Sequence, residues 1–174
     1  TELGDDLTEL LMVRKYERPA AGTSIISGDS KGNFPTHTPK TDADRVQNNR
    51  ALISRNIDAW VEESVKMDGS SFTCYKNKDG EFGVCSRNLE KKEGENAFWR
   101  MARHYKLEER LRAIGRNVSI QGEICGPGIQ KNKDGFDSLR LKVFNVYDNE
   151  RQEFLNIHTQ PDSWTDFVAQ LNAA

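Results

Sequence analysis

The sequence predicts an α+β domain built around an antiparallel sheet. Three observations support this class: a β-hairpin pattern between residues 71 and 86, helical periodicity between residues 97 and 114, and two further strand patterns separated by a Gly-Pro-Gly break. Strands and helices mixed in this way, with hairpin connections, are typical of α+β folds. A chain of 174 residues is long enough for one such domain to bury a hydrophobic core.

The composition is that of a globular protein, with 36% hydrophobic and 30% charged residues. No apolar run approaches the roughly 18 residues that a bilayer crossing requires, and residues 1–10 are acidic and lack the pattern of a secretion signal. The three cysteines form no CxxC pair, which disfavours a disulfide framework and a zinc site. We therefore expect an intracellular protein, cytoplasmic or nuclear, with reduced cysteines and no membrane partner.

The first part of the chain has clusters of Gly, Ser, Pro and Thr and little periodicity. This predicts an extended lead-in over residues 1–44 that wraps on the domain, and a domain core over residues 45–174. Residues 41–44 carry side chains suited to helix capping, and they precede an apolar periodicity that predicts a helix over about residues 43–54. A strand is expected over Trp60–Val65.

Two runs rich in aromatic and β-branched residues, Ser71–Tyr75 and Phe82–Ser86, follow this strand. The Asp79-Gly80 pair between them favours a tight reversal, so an antiparallel hairpin is predicted. Apolar residues then follow helical spacing over Ala97–Ile114, and Gly115 is a plausible C-terminal stop.

The remaining elements are two strands and a closing helix. Val118–Ile124 alternates as a strand, and Gly126-Pro127-Gly128 ends it. Leu139–Tyr147 is predicted to be a strand with apolar residues on both faces, which suggests burial on two sides. A helix is expected over Trp164–Leu171.

A cluster of basic residues lies between Lys91 and Arg116, although the formal net charge of the whole chain is -2. Eight lysines and arginines stand against four glutamates in this stretch. The pattern has two interpretations. It is either a solvated helical surface with ion pairs between neighbouring turns or a surface that follows nucleic-acid phosphates.

Lys66-Met67-Asp68-Gly69 lies between the predicted strand and the hairpin, where a side chain can project into a cleft. A free lysine amine has a pKa of about 10.4, so it must be desolvated or placed near positive charge to attack a phosphorus atom at neutral pH. Gly69 permits a tight turn and close approach of the backbone to a ligand. The motif is short, and by itself it also occurs by chance.

Further motifs accompany it in a defined order. They are Gly32-Asn33-Phe34-Pro35, Pro39-Lys40-Thr41-Asp42, Asp44-Arg45-Val46-Gln47-Asn48, Ser86-Arg87-Asn88, Gln121-Gly122-Glu123, Gly126-Pro127-Gly128-Ile129-Gln130 and Val143-Phe144-Asn145-Val146-Tyr147. Together with the lysine motif, this order resembles the nucleotidyltransferase domain of ATP-dependent RNA ligases. The likeness is strongest to the branch typified by the Naegleria and Deinococcus 3′-OH/5′-phosphate RNA ligases, and it covers roughly residues 3–155. It implies the antiparallel-sheet fold of ATP-grasp-like DNA/RNA ligase domains.

The resemblance implies a role for each matching residue at the reaction centre. Lys66 matches the lysine that attacks the α-phosphate of ATP and becomes lysyl-AMP. Asp68 and Glu123 match carboxylates that hold a divalent cation, Mg²⁺ or Mn²⁺, through water, which suits Mg²⁺ because that ion keeps much of its hydration shell. The implied partners are ATP and RNA ends or a nicked duplex with 3′-OH and 5′-phosphate, bound by a monomer.

The resemblance also implies nucleotide-binding roles. Arg45 and Arg87 match arginines that grip phosphate oxygens with a planar fork of donors. Phe144 matches the aromatic side chain that stacks on adenine, Val65 lies where a backbone carbonyl can bind the adenine amino group, and Glu123 also borders the nucleotide. Without the family, Phe144 could be a core residue and both arginines surface charges. A purely structural role is harder to assign to Glu123, since a carboxylate in a strand of alternating apolar residues needs a partner.

Two later motifs of complete family members, a Glu-Gly-x-Val strand and a Lys-x-Lys strand, are not found after Phe154. We therefore expect a nucleotidyltransferase domain that is incomplete at its C-terminal end, either a fragment or a minimal variant. Such a chain should bind adenine nucleotides and adenylylate slowly or not at all, because misplacing the leaving group by about 1 Å can lower the rate roughly a hundredfold. The alternative function is a non-catalytic module that binds ATP or RNA ends, or an inactive ligase fragment.

Overall fold

Seven strands form one fully antiparallel sheet in the order β1-β4-β3-β2-β5-β6-β7. The computed structural model describes Met12 and residues 28–61, 63–157 and 163–173, so most of the predicted lead-in before residue 28 lies outside the described residues. The strands are β1 Ser30–Asn33, β2 Ser70–Lys76, β3 Phe82–Cys85, β4 Leu89–Lys91, β5 Val118–Cys125, β6 Arg140–Asp148 and β7 Glu153–Leu155. The predicted α+β class with an antiparallel sheet is confirmed.

The central hairpin, β2 and β3, forms where the sequence predicts it. The side-chain oxygen of Asn77 accepts hydrogen bonds from the backbone N–H groups of Asp79 at 3.0 Å and Glu81 at 2.9 Å, which organises the turn. Gly80 has φ +80°, a left-handed conformation that glycine adopts without steric cost. Local turn chemistry therefore sets the register of the two central strands.

Three helices pack on one face of the sheet: α2 Ala97–His104, α3 Leu107–Ile114 and α4 Ser163–Ala173. The predicted helical stretch is divided at Lys106, whose backbone is left-handed at φ 50°. Asn96 caps α2 by accepting from Trp99 N at 3.0 Å, and Gly115 ends α3 at φ +71°. Among the helices of the described residues, none is long and apolar enough to cross a membrane.

The hydrophobic core lies between these helices and the sheet. Full burial of one such aliphatic side chain contributes roughly 1.5–3 kcal/mol. The strands supply Phe72, Cys74, Val84, Ile120, Ile124, Leu141 and Val146, and the helices supply Phe98, Met101, Leu107, Leu111, Trp164, Val168 and Leu171.

The opposite face of the sheet is polar in its centre and is crossed by residues 34–42, here called the crossing segment. Thr38 Oγ1 lies 2.7 Å from Ser119 Oγ, and Gln121 Nε2 donates to the carbonyl of Pro39 at 2.6 Å. Because side chains alternate between the faces of a strand, Glu123 of β5 belongs to the same polar face. The end of the crossing segment reaches this region, since Thr41 bonds Ser71, the residue of β2 opposite Glu123.

The helix predicted over residues 43–54 forms only in part, as a 3₁₀ turn at Val46–Asn48 followed by a short helix α1 at Arg50–Arg55. No side chain caps the N-terminus of the 3₁₀ turn or of α1 with a hydrogen bond. Two of the expected capping residues are engaged elsewhere: Thr41 hydrogen-bonds to Ser71 of β2 at 2.9 Å, and Asp42 pairs with Arg87 in the β3–β4 loop. The prediction was wrong about capping because these side chains have tertiary partners.

The strand predicted over Trp60–Val65 is not formed in its described residues, which exclude Glu62. Trp60 is fully exposed and Val65 is 81% exposed. A strand needs a partner for its backbone, but β2, which follows this segment, is already hydrogen-bonded to β3 and β5. Strand propensity alone therefore does not produce a strand here.

Asp148, at the end of β6, should be a main determinant of stability where β6 turns toward the edge strand β7. Its buried carboxylate accepts hydrogen bonds from the N–H groups of Glu150 and Arg151, both at 3.0 Å, and pairs with the Arg116 guanidinium. Asp148→Ala should lower the free energy of unfolding by about 2–4 kcal/mol, because these donors lose a charged acceptor. Urea unfolding measures the change.

The pH dependence provides a second check on Asp148. Burial alone would raise its pKa, but the Arg151 N–H, the Arg116 side chain and the Glu150 N–H together lower the pKa below its usual value of 3.8. The contribution of Asp148 is therefore present above about pH 4 and is lost as the pH falls through the lower folded-state pKa. Arg112→Ala is a matched control: it breaks an exposed pair with Glu108 and should cost under about 0.5 kcal/mol. Equal losses in both variants would contradict this role of Asp148.

Candidate active site

The Lys66–Gly69 segment is held against the end of β5 by Gly69. A β-carbon at Gly69 would lie 2.2 Å from the carbonyl oxygen of Ile124 and 2.7 Å from Cγ of Glu123, distances that no side chain tolerates. The backbone N–H of Gly69 donates to the Glu123 carboxylate. The glycine thus positions the segment that carries Lys66 directly beside Glu123.

Several charged groups converge on Glu123. Burial raises the pKa of its carboxyl above the usual 4.5, and the negative charge of Asp68 adds to this effect. Lys66, the Gly69 N–H and Arg87 act in the opposite direction. Three of the predicted site residues, Lys66, Asp68 and Arg87, are therefore close enough to Glu123 to influence its ionisation.

Arg87 lies in the loop between β3 and β4, and its Nη2 atom is 2.5 Å from Oδ1 of Asp42 in the crossing segment. Both side chains are more than half exposed, so the guanidinium can exchange this partner for an anion of a ligand. Arg45 is exposed at the start of the 3₁₀ turn. It is not among the groups that act on Glu123, so the described structure does not bring Arg45 into this cluster.

Phe144 occupies a β-bulge in β6. Gln121 of β5 is opposite Asn145 and Gly122 is opposite Val143, which leaves Phe144 as the extra residue. Its side chain is 40% exposed and lies outside the core. The prediction that this strand is buried on both faces is therefore wrong at Phe144, whose ring is available to a ligand. Val65 is exposed as well, and within the described part of the chain no hydrogen bond holds its carbonyl.

Asp68 has a partner that the sequence did not indicate. Lys133, in the loop between β5 and β6, places Nζ 3.0 Å from Oδ2 of Asp68. Asp68 and Glu123 offer oxygen ligands of the kind that Mg²⁺ prefers together with several waters. No group of three or more metal-binding side chains is found in the described part of the chain. The donor set therefore fits a cation held largely through water rather than a closed protein cage.

Removing the Lys133 ammonium should strengthen cation binding at Asp68, because a cation must compete with this partner. Lys133→Met should tighten Mn²⁺ binding by up to about fivefold, the scale of an exposed ion pair. Titration calorimetry without nucleotide measures the affinity. Lys131→Met is the control, since it removes the same charge from the same loop and Lys131 forms no ion pair with Asp68 in the described structure. Equal affinities in the two variants would exclude competition by Lys133.

The three cysteines offer no rival nucleophile. Cys74, Cys85 and Cys125 are free and buried, as expected. Burial is the main cause that raises their thiol pKa values, to about 12 for Cys85 and about 11 for Cys125, and the pKa of Cys74 is raised as well. All three thiols are therefore protonated and unreactive near neutral pH.

The comparisons with known proteins agree with the fold. The family model described as RNA ligase matches residues 59–170. A glutamate-to-alanine variant of Naegleria gruberi RNA ligase, solved with ATP and Mn, is 39% identical to this chain, with a TM-score of 0.76 over 99% of this chain and 50% of its own. A second glutamate-to-alanine variant, solved with AMP and Mn, is 40% identical, with a TM-score of 0.76, 99% coverage of this chain and 49% of its own.

The Naegleria gruberi RNA ligase solved with PPi is 37% identical, with a TM-score of 0.72 over 99% of this chain and 49% of its own. No curated protein matches the sequence. The chain spans about half the length of the solved relatives. The chain belongs to the RNA ligase family, and its antiparallel-sheet fold is that of the ligase adenylation domain.

Proposed function

We propose that this chain is the adenylylating domain of an ATP-dependent RNA ligase, with Lys66 as the residue that accepts AMP. The observation that carries the proposal is the convergence of Lys66, Asp68 and Arg87 on the half-buried Glu123. An amine, a guanidinium and two carboxylates at one point are what phosphoryl transfer needs, since this chemistry depends mainly on positioning and charge neutralisation.

The spacing of these residues supports the proposal. Alanine variants of the Naegleria gruberi ligase have been solved at a lysine, at an aspartate two positions after it, at an arginine 21 positions before it and at a glutamate 57 positions after it. The same residue types stand at the same separations here, as Lys66, Asp68, Arg45 and Glu123. The proximity of Lys66 and Asp68 to Glu123 supports the proposal.

The first step would transfer AMP to the protein. The unprotonated Nζ of Lys66 attacks the α-phosphorus of ATP, a nitrogen–phosphorus bond forms, and the bond to the leaving pyrophosphate breaks. The amine loses a proton in the process. Arg87, and Arg45 if it swings toward the nucleotide, would bind the phosphate oxygens, and Phe144 would stack on adenine at its exposed position in the bulge.

The cation implied by the family would be held by Asp68 and Glu123 through water. When bound, Mg²⁺ or Mn²⁺ would supply positive charge that offsets the negative charge of the phosphates. The residues of the chain would position it: the Gly69 N–H fixes the Glu123 carboxylate, and Lys133 keeps Asp68 paired until a cation replaces it.

The second step would pass AMP to an RNA 5′-phosphate. An oxygen of the 5′-phosphate attacks the phosphorus of lysyl-AMP, the nitrogen–phosphorus bond breaks, and the Lys66 amine is regenerated. A 3′-OH could then displace AMP and close the strand, which is 3′-OH/5′-phosphate end joining. The candidate substrates are RNA ends or a nicked duplex.

Labelled ATP tests the proposal. The chain is incubated with Mn²⁺ and ATP labelled at the α-phosphate, denatured and examined for bound label, with γ-labelled ATP as the control. Label from α-ATP alone, released by pyrophosphate or transferred to a 5′-phosphorylated RNA, is the expected result. ATP binding without covalent label would favour the alternative, a module that binds ATP or RNA ends without turnover.

A further inference from the structure

A shallow groove runs along the outer side of α2, on the helical layer of the domain. Its floor contains the buried side chain of Met101 together with Leu139, and its edges carry Arg100, His104 and Arg140. Arg103 and Glu95 line one end, and Ser138 lines the other. The groove therefore combines an apolar base with a basic rim.

The groove contains Arg100 and Arg103, two of the eight basic residues between Lys91 and Arg116. Several of those residues are engaged: Arg112 pairs with Glu108 and Arg116 with Asp148, and Arg110 lies over the Phe167 ring. The one acidic side chain among the groove residues, Glu95, is bound by Arg103 at 2.9 Å. Arg100 is exposed and has no ion pair within the described ranges, so its charge is available to a ligand.

The groove and Lys66 lie at the same end of the sheet. Gly69 is packed against the end of β5, and Cys125, the last residue of that strand, is opposite Arg140, the first residue of β6. Tyr105, directly after α2, accepts a hydrogen bond from Leu141 N at 3.4 Å. Two strand spacings, about 10 Å within the plane of the sheet, therefore separate Gly69 from the strand end that borders the groove. Because α2 lies on the helical side and Glu123 on the opposite face, an RNA strand that contacts both would pass around this end of the sheet.

We propose that the α2 groove binds the phosphodiester backbone of the RNA strand beyond the end presented to Lys66. Arginine side chains are the usual partners of backbone phosphates. The apolar floor of Met101 and Leu139 offers a surface for an unpaired base, and a cationic rim over such a floor suits single-stranded RNA. The proposal rests on the proposed ligase function, because it assigns the groove to the substrate of the same site.

The test compares Arg100→Gln with Arg112→Gln. Both replace an exposed helical arginine by the same neutral residue, but Arg112 lies on α3 outside the groove. Binding of a fluorescent 5′-phosphorylated RNA is followed by anisotropy over a range of salt concentrations, without ATP. Arg100→Gln should weaken binding about three- to tenfold at low salt and reduce the slope of log affinity against log salt by about one. Arg112→Gln should leave both unchanged.

Two further measurements, and one outcome of the first comparison, decide the proposal. Arg100→Lys should retain most of the affinity, because the charge is kept. Equal losses in the Arg100 and Arg112 variants would overturn the proposal, since only net charge would then matter. ATP affinity, measured without RNA, should be the same in the wild type and Arg100→Gln. A loss of ATP affinity with unchanged RNA binding would show that the groove serves the free nucleotide instead.

The groove and the ligase function can fail separately. Lys66 labelling by α-labelled ATP needs no RNA and should be equal in the wild type and Arg100→Gln. Labelling with no effect of Arg100→Gln on RNA binding would refute the groove alone. An effect of Arg100→Gln on RNA binding without labelling would refute the adenylylating function and leave the groove as an RNA-binding surface.

Discussion

Replacing Lys66 with alanine or arginine should abolish covalent attachment of AMP while leaving the fold intact. Alanine has no amine, and the arginine guanidinium stays protonated and cannot attack phosphorus. Lys66 is exposed and precedes β2, so neither change removes core packing. The measurement is the fraction of protein that keeps label from α-labelled ATP after denaturation, followed over a long incubation because labelling by this chain is expected to be slow.

The matched control for Lys66 is Lys131→Arg, which makes the same change at an exposed lysine in the β5–β6 loop. This variant should label like the wild type. Label that persists in Lys66→Ala would contradict the assignment and point to another amine, with Lys133 beside Asp68 as the first candidate. Circular dichroism of each variant confirms that loss of label is not loss of fold.

Glu123→Gln should change stability and adenylylation in opposite directions. Adenylylation should fall about a hundredfold or more, the usual scale for loss of one preorganised electrostatic group. Stability at neutral pH should rise by a few degrees in the midpoint of thermal unfolding, because the ionised carboxylate is partly desolvated and near Asp68. The labelling assay and thermal scans at several pH values measure the two effects.

The sign of the pH effect follows from the direction of the shift. The folded-state pKa of Glu123 lies above its usual 4.5, so the folded protein binds the proton more tightly than the unfolded chain does. The wild type should therefore lose stability as the pH rises from about 4.5 through the folded-state pKa. The advantage of Glu123→Gln should vanish below that range. An unchanged labelling rate in this variant would remove Glu123 from the site.

Glu90→Gln is the matched control for Glu123. The Glu90 carboxylate is also partly buried, but it accepts from Lys31 at 2.8 Å and Tyr75 at 3.0 Å. Removing its charge should lower stability, since two donors lose a charged acceptor. Adenylylation should not change. A gain of stability in both variants would mean that any buried carboxylate on this sheet destabilises the fold, wherever it lies.

The elements with local causes could be predicted from the sequence. The central hairpin depends on the Asn77–Gly80 turn, and α2, α3 and α4 depend on apolar periodicity. The short strands β1, β4 and β7 were not predicted, because three or four residues are too few to show a strand pattern; β1 also depends on pairing with the distant β4. The predicted strand before Lys66 failed because its propensity has no partner strand among the described residues.

The site was predictable where it coincides with a family motif and less so where it depends on tertiary contacts. The motifs identified Lys66, Asp68, Arg87 and Glu123, which the fold brings together. No periodicity could reveal the bulge that exposes Phe144. The Lys133 contact with Asp68 joins positions separated by the whole of α2, α3 and β5, and such a contact becomes visible only when the chain is folded.

The exposed position of Trp60 makes the protein its own fluorescent reporter. The other two tryptophans, Trp99 and Trp164, are buried, so they emit at shorter wavelengths than an indole in water. Trp60 lies six residues before Lys66, and any ligand that orders this stretch would move its ring into a less aqueous environment. The emission maximum would then shift to the blue without any label, and a Trp60→Phe variant would show how much of the shift comes from this one side chain.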